Sequence, residues 1–403
     1  MRAAVGIDIG TTNTTTVVVR RDKSGKFRIT GFGQSPSAGM RRGAIFDVEA
    51  AAGALKRSLH EASRTSGERI RSALVSVGGA HLAAFAVRGA VAVSRADGEI
   101  TEDDVRRAIH TAEGMAPKNP NREVIHVIPR GYRVDGDGSI ADPVGMVGMK
   151  LESDALVVDG SKPALANLIK CCELAGIEVE DWAASTLAAS EVLLTKRQKE
   201  LGVMLLDLGA GTSDFAIFEE GRILDVGSFP FGGAHITNDI AVGLKAQVTV
   251  AEAIKIRYAS VAAEMRARRE NIRLADFHVA GGEEFPLREL TDIIGARLTD
   301  IFELSFKALK RIGRAGLLPG GVVLTGGVAD IPGIQDLCRR ELKLPVEVAK
   351  AGTPEVFADV VPARLAIPVG LMLWQWEQTG FRGRHRSWGI VERAKHILRG
   401  FVP

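Results

Sequence analysis

VMLLDLGAGTSDFAIF, residues 203–218, repeats the plan of VGIDIGTTNTTTVVV, residues 5–19. Each has an apolar strand, an Asp, one apolar residue, a Gly, a small polar turn and a second strand rich in apolar or β-branched residues. An internal duplication is the simplest reading. Two related lobes would then present their hairpins towards a shared cleft. Each hairpin supplies a carboxylate, Asp8 or Asp207, and a run of Gly, Thr and Ser whose N–H groups and hydroxyls can surround phosphate oxygens. Taken singly, such a turn is also ordinary strand-end chemistry.

The surrounding chain alternates like an α/β protein. Asp47 to Ala62 has helical composition and ends near Ser66-Gly67, and Ile70 to Val77 returns to strand character. From about Ala80 to Asp159 the character changes. Short strands around Ala84 to Val91 and Glu123 to Ile128 flank a helix from Glu102 to Met115, and T-E-D-D at Thr101 has the form of a capping box. This stretch reads as an insertion into the first lobe. Further helices are expected over 161–175, 249–267 and 287–312, the last with a break near Gly295, and a strand over 320–325 runs into Gly326-Gly327. A final apolar segment, 362–374, is followed by a short polar linker from Gln378.

The chain has 403 residues, more than one hydrophobic core usually serves. It is 46% apolar and 25% charged, the composition of a globular rather than a disordered protein. Its three cysteines, Cys171, Cys172 and Cys338, have neither the spacing of a zinc site nor the even count of a disulfide framework. The start is too quickly polar for a secretion signal, and no apolar run reaches the ~20 residues that span a bilayer, so a cytoplasmic location is expected.

Charge is uneven. Residues 379–403 hold six Arg or Lys against Glu392 alone, a net +5, which leaves −2 on the body. Trp388, Val391, Ala394, Leu398 and Phe401 recur at spacings of three and four, with Arg393, Lys395, His396 and Arg399 beside or opposite them. This is the composition of an interfacial helix that favours anionic lipid. A helix packed on its own protein is the competing reading. No nucleic-acid partner is expected.

The ordered set DIGTTN (8–13), DLGAGTSD (207–214) and LTGGVADIPG (324–333) resembles the phosphate-1, phosphate-2 and adenosine motifs of the superfamily of actin, the heat-shock chaperones and sugar kinases. Within it, NREVIHVIPRGYRVDGDGSIADPVGMVGMKLE (121–152), with TEDDVRRAIHTAE before it and FGGAHITNDIAVGL after it, is similar to the cell-division family FtsA.

The resemblance implies an α/β, actin-like ATPase fold of two lobes around a nucleotide cleft. The first lobe would comprise 1–79 and 160–198, with an inserted subdomain over 80–159. The second would comprise 199–242 and 318–377, with an outer subdomain over 243–317. A linker over 378–384 and an amphipathic helix over 385–403 would complete the chain.

ATP and Mg²⁺ are the implied ligands, the ion held through waters by Asp8 and Asp207. Gly10, Thr11, Thr12, Asn13, Gly209, Gly211, Thr212, Asp214, Gly232, Gly233, Gly326 and Gly327 would surround the nucleotide. Glu252 and Lys255, three apart on a helix, are candidates for the ribose, or form a plain ion pair. His235 reads as a structural hydrogen-bonding residue. In several relatives the helix before phosphate-2 supplies Glu or Gln to orient water; here Ser185 stands there and Glu191 lies nearly two turns on, so any ATPase is expected to be slow.

The family further implies self-polymerisation, binding of the FtsZ C-terminal peptide, with Arg297 and Asp300 as candidates, and later division partners. Trp388, Val391, Arg393, Lys395, Leu398, Arg399 and Phe401 would meet the membrane at its cytoplasmic face, at the division site. The alternatives are a scaffold like the pilus-assembly protein PilM, which shares the insertion, and a small-molecule kinase, which would need a substrate carboxylate in the cleft.

Overall fold

The computed structural model describes residues 3–264, 270–277 and 284–382. In the first lobe, β1 (Ala4–Ile9) and β2 (Asn13–Arg21) form the first hairpin, and β3 (Phe27–Pro36) pairs with β2. A short hairpin of β4 (Met40–Arg41) and β5 (Ala44–Ile45) leads to α1 (Val48–Ser66). Asp47 caps α1 by accepting from the Ala50 N–H, and Gly67 closes it in a left-handed conformation, so both ends follow the local chemistry. Strand β6 (Ser72–Val77) lies parallel to β1.

The insertion begins with β7 (Ala83–Ala92) and α2 (Glu102–Gly114), where Thr101 and Asp104 complete both halves of the capping box. Strands β8 (Arg122–Val134), β9 (Asp137–Ile140) and β10 (Lys150–Ser161) follow, and the sheet runs β7-β10-β8-β9. Its central strand, β10, is one that periodicity did not single out, and β8 is twice the expected length. The small core of the insertion is built from Ile100, Val105, Ala108, Tyr132, Val134 and Leu151.

The chain returns through α3 (Lys162–Leu174) and β11 (Glu178–Ala184), which completes a sheet of order β11-β6-β1-β2-β3. Helices α4 (Ser185–Leu193) and α5 (Lys196–Leu201) lead to the second hairpin, β12 (Val203–Leu208) and β13 (Ser213–Glu219), and to β14 (Arg222–Phe229). Next come α6 (Gly233–Leu244), α7 (Val248–Tyr258), β15 (Asn271–Arg273), β16 (Glu284–Pro286) and α8 (Leu287–Arg311). The second lobe ends with β17 (Val322–Thr325), α9 (Ile334–Leu342) and β18 (Val346–Val348), in a sheet of order β14-β13-β12-β17-β18. Side chains of β12 alternate: Val203 and Leu205 join the core of the first lobe, while Met204, Leu206 and Leu208 join that of the second. One strand thus ties both cores to the turn that follows Leu208.

Four expectations need correction. Residues 357–374, assigned from sequence to the second lobe, belong to the first: Phe357, Val361, Leu365, Val369 and Trp374 lie in its core. The last helix, α10 (Ala366–Arg382), comes so close to β1 and α4 that a methyl on Gly6 would strike Pro368 and one on Gly370 would strike Ala188. The linker expected from Gln378 is helical through Arg382, because no proline or cap interrupts a run of residues that tolerate helix.

Helix α8 runs unbroken through Gly295. A lone glycine weakens a helix by ~1 kcal/mol, whereas buried Leu290, Ile294, Leu298, Ile301 and Phe302 each contribute roughly 1.5–3 kcal/mol. Helix α7 stops at Tyr258, short of the expected Ala267, which lies outside the described residues. Ala259 turns extended and the Val261 N–H donates to the Pro332 carbonyl at 2.8 Å, a tertiary bond invisible to periodicity. No described helix is long and apolar enough to cross a membrane.

Candidate functional site

The two hairpins meet tip to tip. Gly10 N–H donates to the Asn13 carbonyl and Gly209 N–H to the Thr212 carbonyl, both at 3.0 Å, so the duplicated sequences close the same turn. A methyl on Gly211 would stand 2.6 Å from Thr11 Oγ1 of the other lobe. Gly232 lies against the second turn, 2.5 Å from the Gly209 carbonyl oxygen if it carried a methyl, and the Gly233 N–H donates to that same oxygen. Thr12 holds the first tip down through its carbonyl, which accepts from Ser37 N–H at 2.8 Å.

Three carboxylates face this junction, Asp8 and Asp207 half-buried and Asp214 buried. Ser76 Oγ donates to Asp8 at 2.6 Å, yet burial raises the Asp8 carboxyl above the usual carboxylate range. Asp207 is pushed up to about 7, by burial first and then by Asp214 and Asp8. Asp214 rises to about 6, again chiefly through burial, although Ser228 and Thr212 hydroxyls and the Gly79 N–H favour its charged form.

The duplication is imperfect here. Asp207 pairs across its hairpin with Asp214, whereas Asp8 pairs with Thr15. Like charges directly opposite on a hairpin repel, so the arrangement suits a cationic ligand. Among the described residues no group of three or more Asp, Glu, His or Cys could hold a metal ion directly. Coordination of Mg²⁺ through retained waters fits that donor set.

The third motif reaches the site because β17 runs parallel to β12, with Thr325 beside Asp207. Gly326 has φ of 84°, and a methyl on it would collide with Asp207 Oδ1 and stand 2.5 Å from the Leu208 carbonyl oxygen. Gly327 next to it has open space. Lys255 Nζ contacts Glu252 at 2.6 Å, Thr237 Oγ1 at 2.7 Å and the Gly233 carbonyl at 3.1 Å. The two expected ribose contacts therefore form one network with the first turn of α6. An open crevice of about 410 Å³, lined by Ala234, Thr237, Asn238, Val248, Thr249 and Glu252, adjoins them. His235 Nδ1 accepts from the Gly232 N–H at 3.2 Å and so caps α6, the structural part expected of it.

Ser185 opens α4 with its Oγ buried and unbonded, 2.9 Å from the position a Gly78 Cβ would take. Asp214 Oδ2 lies 3.4 Å from that same point. Glu191 is committed to Lys199 at 2.9 Å. Arg297 makes a two-pronged pair with Asp239, at 2.7 and 3.0 Å, and a third bond to Asp300 at 3.1 Å. Of these candidate peptide contacts, Asp300 is the exposed one. Trp388, Val391, Arg393, Lys395, Leu398, Arg399 and Phe401 lie outside the described residues. Sequence reasoning missed Ser76, Ser228, Gly78 and Gly79; the small-residue run after β6 is a signal for Gly78 and Gly79, and the two serines, inside strands, carry none.

The family model "Cell division protein FtsA" matches residues 204–365, and "SHS2 domain inserted in FTSA" matches 79–159. The chain is 33% identical to cell division protein FtsA of Pseudomonas aeruginosa over 371 residues, 92% of this chain and 88% of the relative. It is likewise 33% identical to FtsA of Bacillus subtilis over 390 residues, 97% of this chain and 87% of the relative. Among solved structures, a PilM-PilN type IV pilus biogenesis complex aligns with TM-score 0.65 at 17% identity, covering 92% of this chain and 98% of the other. MreB5 of Spiroplasma citri bound to AMPPNP aligns at 0.55 and 15% identity, covering 96% and 99%. At such identities these two share the actin-like fold alone.

Proposed function

The chain belongs to the FtsA family of cell division proteins, and from that membership we propose that it binds ATP with Mg²⁺, polymerises into actin-like filaments and anchors FtsZ to the cytoplasmic membrane at the septum. The observation that carries the nucleotide reading is the junction of two duplicated glycine turns with the clustered carboxylates Asp8, Asp207 and Asp214. A bound divalent ion would supply positive charge between carboxylates and phosphates. Asp8 and Asp207 would hold its waters, N–H groups of the two turns would take phosphate oxygens, and Lys255 with Glu252 would face the sugar.

Turnover should be slow. Glu191 is occupied by Lys199, and the group that α4 brings near Asp214 is the hydroxyl of Ser185, a weak group for activating water. The nucleotide then acts mainly as a conformational and assembly ligand. A PilM-like scaffold is the second reading on the same fold, and a kinase the third.

The membrane part has a direct test. Sedimentation with anionic liposomes and ATP should pellet the full chain with filaments on the lipid, and should leave a chain truncated after Arg384 in solution. Equal failure of both folded proteins would favour the scaffold or kinase.

For the FtsZ peptide, Arg297→Glu is expected to weaken binding roughly tenfold or more, because it reverses a charge that Asp239 and Asp300 hold in place. Fluorescence anisotropy of a labelled FtsZ C-terminal peptide reads this, with urea unfolding as the folding control. Unchanged affinity would remove this surface from consideration.

A further inference from the structure

A left-handed arginine stands where the two hairpin tips meet. Strands β4 and β5 are joined by Arg42 and Gly43, with φ of 50° and 74°. Two positive values in a two-residue hairpin loop mark a type I′ turn, which selects Asn, Asp or Gly at its first position. Side chains with a Cβ rarely adopt that backbone, and arginine has no local hydrogen bond to compensate. Backbone of this kind persists where the surroundings hold it, and it clusters at ligand sites.

The surroundings are those of the candidate site. The Arg42 Cα lies 3.1 Å from the position of a Gly211 Cβ, the same position that Thr11 Oγ1 approaches. A methyl on Gly43 would stand 2.5 Å from the Gly79 Cα and 3.5 Å from the Thr212 methyl. The turn therefore packs on the second glycine loop, at the point that Thr11 of the first also approaches, and it brings a cation from the first lobe to their junction. The Arg42 side chain is exposed and enters no ion pair among the described residues. In the first turn of α6, His235 is held below its usual pKa by burial first, and then by the charges of Arg42 and Arg297.

We propose that Arg42 contacts the terminal phosphate of the bound nucleotide and makes the site prefer a nucleoside triphosphate over a diphosphate. The planar guanidinium fork matches phosphate oxygens. The floor of the site carries acids, so the outermost phosphate needs a cation from above. A diphosphate ends one group short of it. This inference rests on the nucleotide reading given above, and the test separates the two.

The test is Mg²⁺-dependent competition of ATP and ADP against a fluorescent nucleotide, on the full chain and on Arg42→Asn and Arg42→Lys. The unaltered protein should bind ATP more tightly than ADP. Arg42→Asn, which suits the turn, should weaken ATP roughly tenfold or more and leave ADP within about twofold. Arg42→Lys should keep part of the preference, since it retains charge without the fork. The thermal midpoint of Arg42→Asn should equal or exceed that of the unaltered protein, which excludes misfolding. Equal weakening of both nucleotides, an unchanged preference, or no preference in the unaltered protein would overturn the role of Arg42 alone. Binding of neither nucleotide by the unaltered protein would overturn the nucleotide reading, and this inference with it.

Discussion

Gly326→Ala is expected to abolish nucleotide binding and to destabilise the protein by about 2–5 kcal/mol. Two independent costs combine. The backbone at Gly326 has φ of 84°, which costs an L-residue roughly 1–2 kcal/mol. The added methyl would collide with Asp207 Oδ1 and the Leu208 carbonyl, and such overpacking typically costs about 1–3 kcal/mol. The collision also moves the carboxylate proposed to hold the cation, so affinity should be lost even where the variant folds. Gly327→Ala is the comparison for stability alone, because its methyl would meet open space and its φ is not positive. Urea unfolding and a fluorescent-nucleotide titration read both effects. A Gly326→Ala protein that bound nucleotide normally would mean that this loop is not at the nucleotide.

The second large effect concerns pH. Asp207 titrates at about 7 and Asp214 at about 6 in the folded chain, and Asp8 is raised as well. A carboxylate whose folded pKa lies above its unfolded value is favoured in its protonated form by folding. The stability it contributes is present at low pH and is lost as pH rises from about 4 through about 7. Nucleotide-free, Mg²⁺-free protein should therefore lose stability across that window, by on the order of 1.4 kcal/mol per pH unit for each fully titrating group.

Asp207→Asn removes the steepest contributor and relieves its repulsion with Asp214 and Asp8. It should flatten the profile, raise apo stability near neutral pH by a few kcal/mol, on the order expected for an uncompensated buried charge, and abolish Mg²⁺-dependent nucleotide binding. Urea midpoints from pH 5 to 8, with and without Mg-ATP, test all three. An unchanged slope in the variant would show that Asp207 is not the buried acid responsible.

Much of the site was legible in the chain because its signals are local. Asp8 and Asp207 stand at corresponding ends of two strands, and turn chemistry alone predicts that Gly10 and Gly209 close back on Asn13 and Thr212. Glu252 and Lys255 meet because three residues span almost one helical turn. Thr101 and Asp104 form a capping box for the same short-range reason.

What periodicity could not supply depends on residues far apart in sequence. The Ser76 and Ser228 hydroxyls reach Asp8 and Asp214 only after sheets have formed. Arg297 is tied down by Asp239 from another helix, 58 positions earlier. Arg42 has no motif of its own; its neighbours Thr11, Gly79 and Gly211 come from three segments.

The sequence by itself determined the duplicated hairpins, the insertion and the ordered glycine motifs that the fold brings together, because strand alternation, turn geometry and capping act over a few residues. Only the tertiary structure decided that residues 357–374 return to the first lobe, that α10 extends to Arg382, and that α8 stays whole at Gly295. Each of these outcomes follows from apolar burial against distant segments, which outweighs local preferences of about 1 kcal/mol.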